Sequence, residues 1–182
     1  ITTGFGRMRA MNVEVDINMA VRAVNRLDGW IDKTYRRIQQ HGNLNNNNLS
    51  SMIAQYLYCR SFFLKDRPVA KQHLEAINYF LGQAVKKEKD GTQYFLRLSR
   101  MNQAQVAIAM NRFGKVEKKA NYNQLAKLII KSIKERSVTN EEMGLFWRDL
   151  EYSHWWYRAP IETQAMMIEA FHEVTQDFDA LE

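Results

Sequence analysis

The chain has 182 residues, of which 46% are hydrophobic and 25% are charged, an ordinary balance for a globular domain with its own core. Its net charge of +6 and pI of about 9.4 permit an anionic partner without demanding one. The single cysteine, Cys59, excludes a disulfide within the chain. Only 2 prolines and 8 glycines are present, which together with the many good helix formers predicts an all-α fold.

The ends of the chain carry no recognisable targeting signal. It starts at Ile1 and shows neither a secretory signal pattern nor an apolar run of about 18 residues. Ile1, Phe5 and Met8 already follow helical spacing, as the tail of a helix would. We therefore expect residues 1–182 to form a single helical domain that is a fragment of a larger multidomain protein.

The first half of the chain predicts three helices, at 16–40, 49–64 and 68–87. Asp16 can cap the first of them, whose apolar residues recur at steps of three and four. The run GNLNNNNLSS is a loop, since asparagine favours turns. Pro68 suits the first turn of the third helix.

The second half predicts helices at about 92–113 and 116–134, an irregular stretch as far as Ala159, and a last helix from Pro160. Gly114 is expected just after the end of the fourth helix. Short loops favour antiparallel pairs, which would be 16–40 with 49–64, 68–87 with 92–113, and 116–135 with 160–177. Helix pairs of this kind are typical of solenoids and of α/α toroids.

No metal or nucleophile site follows from the histidines or the cysteine. His41, His73, His154 and His172 form no i, i+4 pair and no Cys/His cluster of zinc spacing. Cys59 lies among aromatics in the middle of a predicted helix, where a cysteine is usually a small buried hydrophobe. We therefore predict no cofactor and no metal.

A basic segment covers residues 112–136. Lys127, Lys131 and Lys134 share one helix face, which we interpret as a solvated surface. A nucleic-acid site would be better supported by interleaved aromatics or a known module, and this segment has neither. We predict no nucleic-acid partner.

The stretch WWYRAPIETQAMMIEAF, residues 155–171, permits two interpretations. In one, His154 and Glu162 act as acid and base beside an aromatic pocket. In the other, Pro160 and Glu162 begin a helix that is apolar almost all round and therefore buried, with Trp155–Tyr157 covering its entrance. No second carboxylate partners Glu162 within the stretch, and glycosidases usually need two. The buried helix is the favoured interpretation.

Several motifs in this region occur in a recognisable order. They are Arg112-Phe113-Gly114, the segment Ser132–Arg136, Gly144-Leu145-Phe146-Trp147, and Ile161-Glu162-Thr163-Gln164-Ala165. Over about residues 90–175 this order resembles the helical, thioester-type domain of bacterial α2-macroglobulin-like proteins, in the large Bacteroidetes-type form. The residues carried over as a structural signature are Arg112, Phe113, Gly114, Gly144, Trp147, Glu162 and Thr163.

The resemblance implies part of an α/α toroid, here with six or seven helices. It also implies a large endopeptidase inhibitor that is periplasmic or at the cell surface, with the parent either free or membrane-anchored. Its partners would be its other domains and the target proteases. Bait cleavage triggers a conformational change that traps the protease. The family's thioester motif is Cys, any residue, Glu, Gln, whereas Cys59 is followed by Arg60-Ser61-Phe62. This chain therefore carries no thioester.

No catalytic residue is carried over from the family. Thioester members place a histidine somewhat before the matched last helix, so His154 is a candidate for that position. The first expectation is a non-catalytic helical domain of an inhibitor. The alternative is an (α/α)-barrel enzyme acting on a carbohydrate or an isoprenoid, with Glu162 at its pocket.

Overall fold

Helices dominate the computed structural model, which describes residues 1–142, 144–147 and 160–176. These residues form seven α-helices and one short hairpin. The elements are α1 (Thr2–Ala10), α2 (Asn18–His41), α3 (Ser51–Ser61), α4 (Lys71–Gln83), α5 (Arg100–Val116), α6 (Ala120–Lys134), β1 (Val138–Asn140), β2 (Gly144–Phe146) and α7 (Pro160–Ala170). A 3₁₀ turn covers Tyr94–Arg97, and a π-helical turn, Phe171–Thr175, follows α7. The predicted all-α fold class is thereby confirmed.

The chain divides into two compact units, Ile1–Phe95 and the residues from Leu96 onward. In the first unit α2 packs against α4, while α1 packs against α3 and α2. The core is built from the apolar stripes of these helices and from the residues that follow α3. Its fully buried members include Val24, Ile31, Leu57, Phe63, Ile77, Phe80 and Leu81.

The second unit is built around α5, which is buried on almost every side. Both α6 and α7 pack against it, and the π-helical turn contacts α6. Ala104, Ala107 and Ala109 are fully buried, and their short side chains let neighbouring helices approach closely. The antiparallel hairpin of β1 and β2 follows α6, with Val138 opposite Phe146.

Several helix ends differ from the predicted ones because local capping decides them. The fourth helix was expected from residue 92, but α5 begins at Arg100 after the Ser99 hydroxyl accepts a hydrogen bond from the Asn102 amide. Residues before it form the 3₁₀ turn and an antiparallel bridge between Lys87 and Gln93. Gly114 is not the residue after a helix, since α5 continues through it to Val116.

Other boundaries are partly as predicted. The Asp16 carboxylate accepts a hydrogen bond of 2.9 Å from the Asn18 amide, the first of α2, but the N-cap position itself is Ile17 and not Asp16. Pro68 does not lie in a first helical turn, because α4 begins only at Lys71. The last helix begins at Pro160 as predicted, and the hairpin 138–146 lies in a stretch that was expected to be irregular.

Within each unit, the main helix packing differs from the predicted pairs. α2 packs mainly against α4 rather than against α3, the next helix along the chain. In the second unit α5 packs against both α6 and α7, and only the π-helical turn after α7 makes several contacts to α6. In the first unit α2 thus buries its apolar face mainly against α4 and not against the helix that follows it, whereas in the second unit the consecutive helices α5 and α6 do pack together. The toroid and the single domain of 1–182 stay predictions.

None of the helices in the described ranges combines the length and the apolar character needed to cross a bilayer.

Candidate functional site

Gly114 lies where α5 and α6 come closest in the second unit. A Cβ atom at this position would lie 2.7 Å from the Asn123 Oδ1 atom and 2.8 Å from its Cγ atom. The Asn123 amide group is held in place, since its Nδ2 donates to the Asn111 carbonyl oxygen at 2.9 Å and to Asn111 Oδ1 at 3.0 Å. The glycine therefore serves close packing inside a helix and not a helix end.

Arg112 and Asn111 connect the same end of α5 to α7 and the turn that follows it. The Arg112 guanidinium donates to both Glu173 and Glu169, with Nε 2.8 Å from Glu173 Oε1 and Nη2 3.1 Å from Glu169 Oε1. Asn111 Nδ2 donates to the Glu173 backbone carbonyl at 3.2 Å. These charge-assisted bonds are partly shielded from solvent and fix the orientation of α7 on α5.

Trp147 is the largest fully buried side chain of the described residues. Its indole Nε1 donates to the Ile133 carbonyl oxygen at 3.0 Å, near the end of α6. Its ring lies nearly parallel to that of Phe171, with 6.4 Å between the ring centroids. Gly144, the first residue of β2, has a φ of +67°, a conformation that favours glycine.

The segment Ser132–Arg136 ends α6 with a cluster of polar contacts. Arg136 Nε donates to the Ser132 carbonyl at 2.9 Å, and its Nη2 donates to Gln103 Oε1 at 2.8 Å. Gln103 in turn donates to the Leu98 carbonyl at 2.7 Å. Arg136 thus ties the end of α6 to the start of α5, which gives the arginine of this motif a structural role.

The helix α7 is buried on one side only, which corrects the prediction of a helix buried all round. Met167 is 1% exposed, whereas Ile168 is 47% and Ile161 82% exposed. Thr163 lies on the buried side, and Gln164 Nε2 donates to the Leu145 carbonyl of β2 at 2.6 Å. Apolar side chains occur around most of α7, but the rest of the unit packs against only one side of it.

Glu162 lies in the first turn of α7, as predicted, and its side chain is exposed. A carboxylate there is stabilised by the positive end of the helix dipole. His154 and the aromatics Trp155–Tyr157 lie outside the described residues. The acid–base pairing of His154 with Glu162 and the role of His154 therefore both stay predictions.

The first unit contains a buried polar cluster that the sequence analysis missed. Arg60 and Asp28 are 0% and 2% exposed, and Arg60 Nε lies 2.8 Å from Asp28 Oδ1. Tyr56 donates its hydroxyl to the same oxygen at 2.8 Å, and Arg60 Nη2 donates to the Arg67 carbonyl at 2.6 Å. One signal was available in the sequence, because Asp28 stands between Val24 and Ile31 on the apolar stripe of α2.

An open cavity of about 370 Å³ lies near this cluster. It is lined by residues from α1, α2 and α3, and none of the lining side chains is a carboxylate. The lining residues are Ile1, Thr2, Thr3, Leu27, Trp30, Met52, Gln55, Tyr56 and Cys59. Burial raises the pKa of the Cys59 thiol. A hydrogen bond with the Thr3 side chain lowers this pKa, but by less than burial raises it. Cys59 is buried, as predicted, and its thiolate form is disfavoured.

The remaining polar candidates are dispersed. His73 is buried in α4, and its Nδ1 atom lies 4.0 Å from Asp32 Oδ1, outside hydrogen-bonding distance. Residues 1–142, 144–147 and 160–176 contain no group of three or more His, Cys, Asp or Glu side chains placed to hold a metal ion. Lys127, Lys131 and Lys134 are exposed on α6, as the solvated-face interpretation predicts.

Comparison of the chain with protein-family models, curated proteins and solved structures finds no match.

Proposed function

We propose that the chain is a non-catalytic helical domain of an α2-macroglobulin-like endopeptidase inhibitor. One observation carries the proposal: apart from the exposed Glu162, the signature residues that the structure describes serve packing, backbone geometry or ion pairs inside the unit. Gly114 admits Asn123, Gly144 adopts a positive φ, and Trp147 fills the core between α6 and the turn after α7. Signature residues that serve packing and not chemistry are expected of a scaffold domain.

The chemistry of the chain also supports a scaffold. Cys59 is buried and lacks the Glu-Gln that a thioester needs, so covalent attachment of a protease would not use this cysteine. Arg112 pairs with Glu169 and Glu173 within the unit. In the proposed mechanism the domain packs against neighbouring domains of its parent and moves with them when a protease cleaves the bait region.

The test uses the full-length parent, cleaved briefly with several proteases of different specificity. We expect compaction, measured by small-angle X-ray scattering, and co-elution of the protease with the cleaved parent in size-exclusion chromatography. A Gly114→Val parent is expected to lose retention of the protease, because valine would displace Asn123 and separate α5 from α6. A Lys131→Ala parent, changed at an exposed position, serves as the control.

Cleavage that produced neither compaction nor retained protease would exclude the inhibitor function. The enzyme alternative makes a different prediction. It requires turnover of a carbohydrate or isoprenoid substrate that Glu162→Gln abolishes while the thermal stability is unchanged, because Glu162 is exposed.

A further inference from the structure

The whole net charge of the chain lies in its first half. Residues 1–95 contain 14 Lys and Arg against 8 Asp and Glu, a net charge of +6, whereas residues 96–182 contain 12 of each. The first unit is therefore strongly basic and the second half is neutral. A charge of one sign confined to one unit produces a local potential that attracts polyanions to that unit.

Much of this charge lies along one helix. Arg22, Arg26, Lys33 and Arg37 project from α2 within an arc of roughly 60°, since successive residues of an α-helix are about 100° apart. They cover ~22 Å of helix length at 1.5 Å per residue. All four are exposed. We call these four residues the basic face of α2.

The basic face has no carboxylate partners within the described part of the chain. The two acids of α2 are engaged elsewhere, Asp28 with Arg60 and Asp32 with Arg36. Like charges stand four residues apart at two places, Arg22 with Arg26 and Lys33 with Arg37. Repulsion between like charges at this spacing destabilises a helix. A solvated face normally mixes both signs, so four cations without an anion indicate a surface that meets an external anion.

Apolar side chains stand on the same side of α2. Met19 is 71% exposed and falls within the arc of the basic face, and Trp30 lies beside it between Arg26 and Lys33. Met52 of α3, which is 69% exposed, lines the same cavity as Trp30. Methionine has no ring on which a base could stack, and Trp30 is the one exposed aromatic of α2, so the composition favours a lipid surface over a single-stranded nucleic acid. Cations flanked by Trp and other apolar side chains are typical of helices that lie on membranes.

We propose that the basic face of α2 docks the first unit onto an anionic lipid bilayer, with the cations at the headgroups and Met19 and Trp30 at the acyl boundary. Such docking would be independent of protease trapping. It would hold the unit with α2 parallel to the membrane plane.

The test measures co-sedimentation of the full chain with vesicles of phosphatidylcholine containing 30% phosphatidylglycerol, against vesicles of phosphatidylcholine alone. The triple variant Arg26→Gln, Lys33→Gln, Arg37→Gln removes three charges from the basic face. A matched control removes three exposed charges from α6, by Lys127→Gln, Lys131→Gln and Lys134→Gln. Circular dichroism and thermal melts verify that both variants remain folded.

We expect the unmodified chain to bind the anionic vesicles and not the neutral ones, with binding that weakens as salt is raised. The α2 variant should bind on the order of a hundredfold more weakly, given the contribution of each basic residue near an anionic surface. The α6 control should change binding less than about threefold. The fluorescence of Trp30 is obtained as the difference between the unmodified chain and the Trp30→Phe variant. It should shift to shorter wavelength on binding.

Equal losses in the two triple variants would show that only net charge matters and would overturn the proposal. Equal binding to neutral vesicles, no binding to either kind, or an unshifted Trp30 emission would overturn it as well. Tighter binding to a polyuridylate than to the anionic vesicles would assign the face to nucleic acid instead.

Discussion

Single residues decide how closely the helices of the second unit approach. At Gly114 the space for a Cβ atom is already taken by the Asn123 side chain. That side chain cannot turn away freely, because it donates two hydrogen bonds to Asn111. A residue whose sequence context predicted the position after a helix therefore lies within the last turn of α5. It acts there through a neighbour 9 positions away that no local pattern indicates.

Replacing Gly114 by alanine tests this role. The added methyl group must displace Asn123 and its bonds, so we expect Gly114→Ala to lower the free energy of unfolding by about 1–3 kcal/mol. The matched control is Gly82→Ala in α4, where nothing lies within 4 Å of the added Cβ. There the better helix propensity of alanine should raise stability by about 0.5–1 kcal/mol. Chemical denaturation measures both, and stabilisation by Gly114→Ala would contradict the packing role.

The buried cluster around Asp28 makes the stability of the first unit depend on pH. Burial, followed by the Asp28 carboxylate, raises the pKa of Tyr56 far above its usual value of 10.0. Because the pKa of Tyr56 is higher in the folded state than in the unfolded state, the tyrosine contributes fully to the free energy of unfolding below about pH 10. This contribution is lost as the pH rises further, since the tyrosine then ionises in the unfolded state but not in the folded state.

We therefore expect the free energy of unfolding to fall between about pH 10 and pH 11.5. The Tyr56→Phe variant should be less stable at pH 7 by about 1–3 kcal/mol, because the Asp28 oxygen loses the hydroxyl that donates to it. Its free energy of unfolding should, however, fall less at alkaline pH than that of the unmodified chain. Urea titrations at a series of pH values measure both effects. The stability of the variant would still fall at alkaline pH, because the pKa values of Tyr35, Tyr79 and Cys59 are also raised. An identical alkaline slope in the variant would exclude Tyr56 as a cause.

The helices of the second unit differ in how much of their surface is buried. The helix α5 is buried around nearly its whole circumference, whereas α7, which has a higher apolar content, leaves Ile161 and Ile168 in solvent. Hydrophobicity alone thus does not tell which helix is central. The neighbours decide it: within the described ranges both α6 and α7 pack on α5, whereas α7 packs mainly on α5.

The one-sided burial of α7 predicts a contrast between adjacent residues. Met167→Ala should lower the free energy of unfolding by about 2–5 kcal/mol, because it leaves a cavity in the core. Ile168→Ala, at the next position, should cost about 1 kcal/mol or less. Thermal and urea denaturation of the two variants provide the comparison, with Lys131→Ala as a surface reference. Equal costs would mean that the outer face of α7 is covered in the folded protein.

The whole molecule divides into two compact units of unequal charge. The first unit carries the net charge of +6, the buried Asp28–Arg60 pair and the open cavity. The second carries the residues of the family resemblance that the structure describes. The two proposals made here accordingly rest on different units.

A core of its own predicts that the first unit folds alone. Residues 1–95 expressed without the rest should show a helical circular dichroism spectrum and a cooperative thermal transition, as domains of this size commonly do. Far-ultraviolet spectra and calorimetry are the measurements. A broad, non-cooperative melt would mean that the core of residues 1–95 depends on the second half of the chain.

Local signals in the sequence predicted much of the fold. The all-α class, the long helix α2 with Asp16 at its start, and the start of α7 at Pro160 follow from periodicity and capping, which act over a few residues. The burial of Cys59 and the exposure of Lys127, Lys131 and Lys134 could be predicted for the same reason.

The sequence by itself therefore determined which segments are helical and which residue types are placed on their faces. Only the tertiary structure decided which helix packs on which, that Gly114 meets Asn123, that Arg60 neutralises Asp28, and that α7 is covered on one side. The physical reason is range: helix periodicity and caps depend on neighbours within about four residues, whereas close packing and buried ion pairs join side chains that lie far apart in the chain.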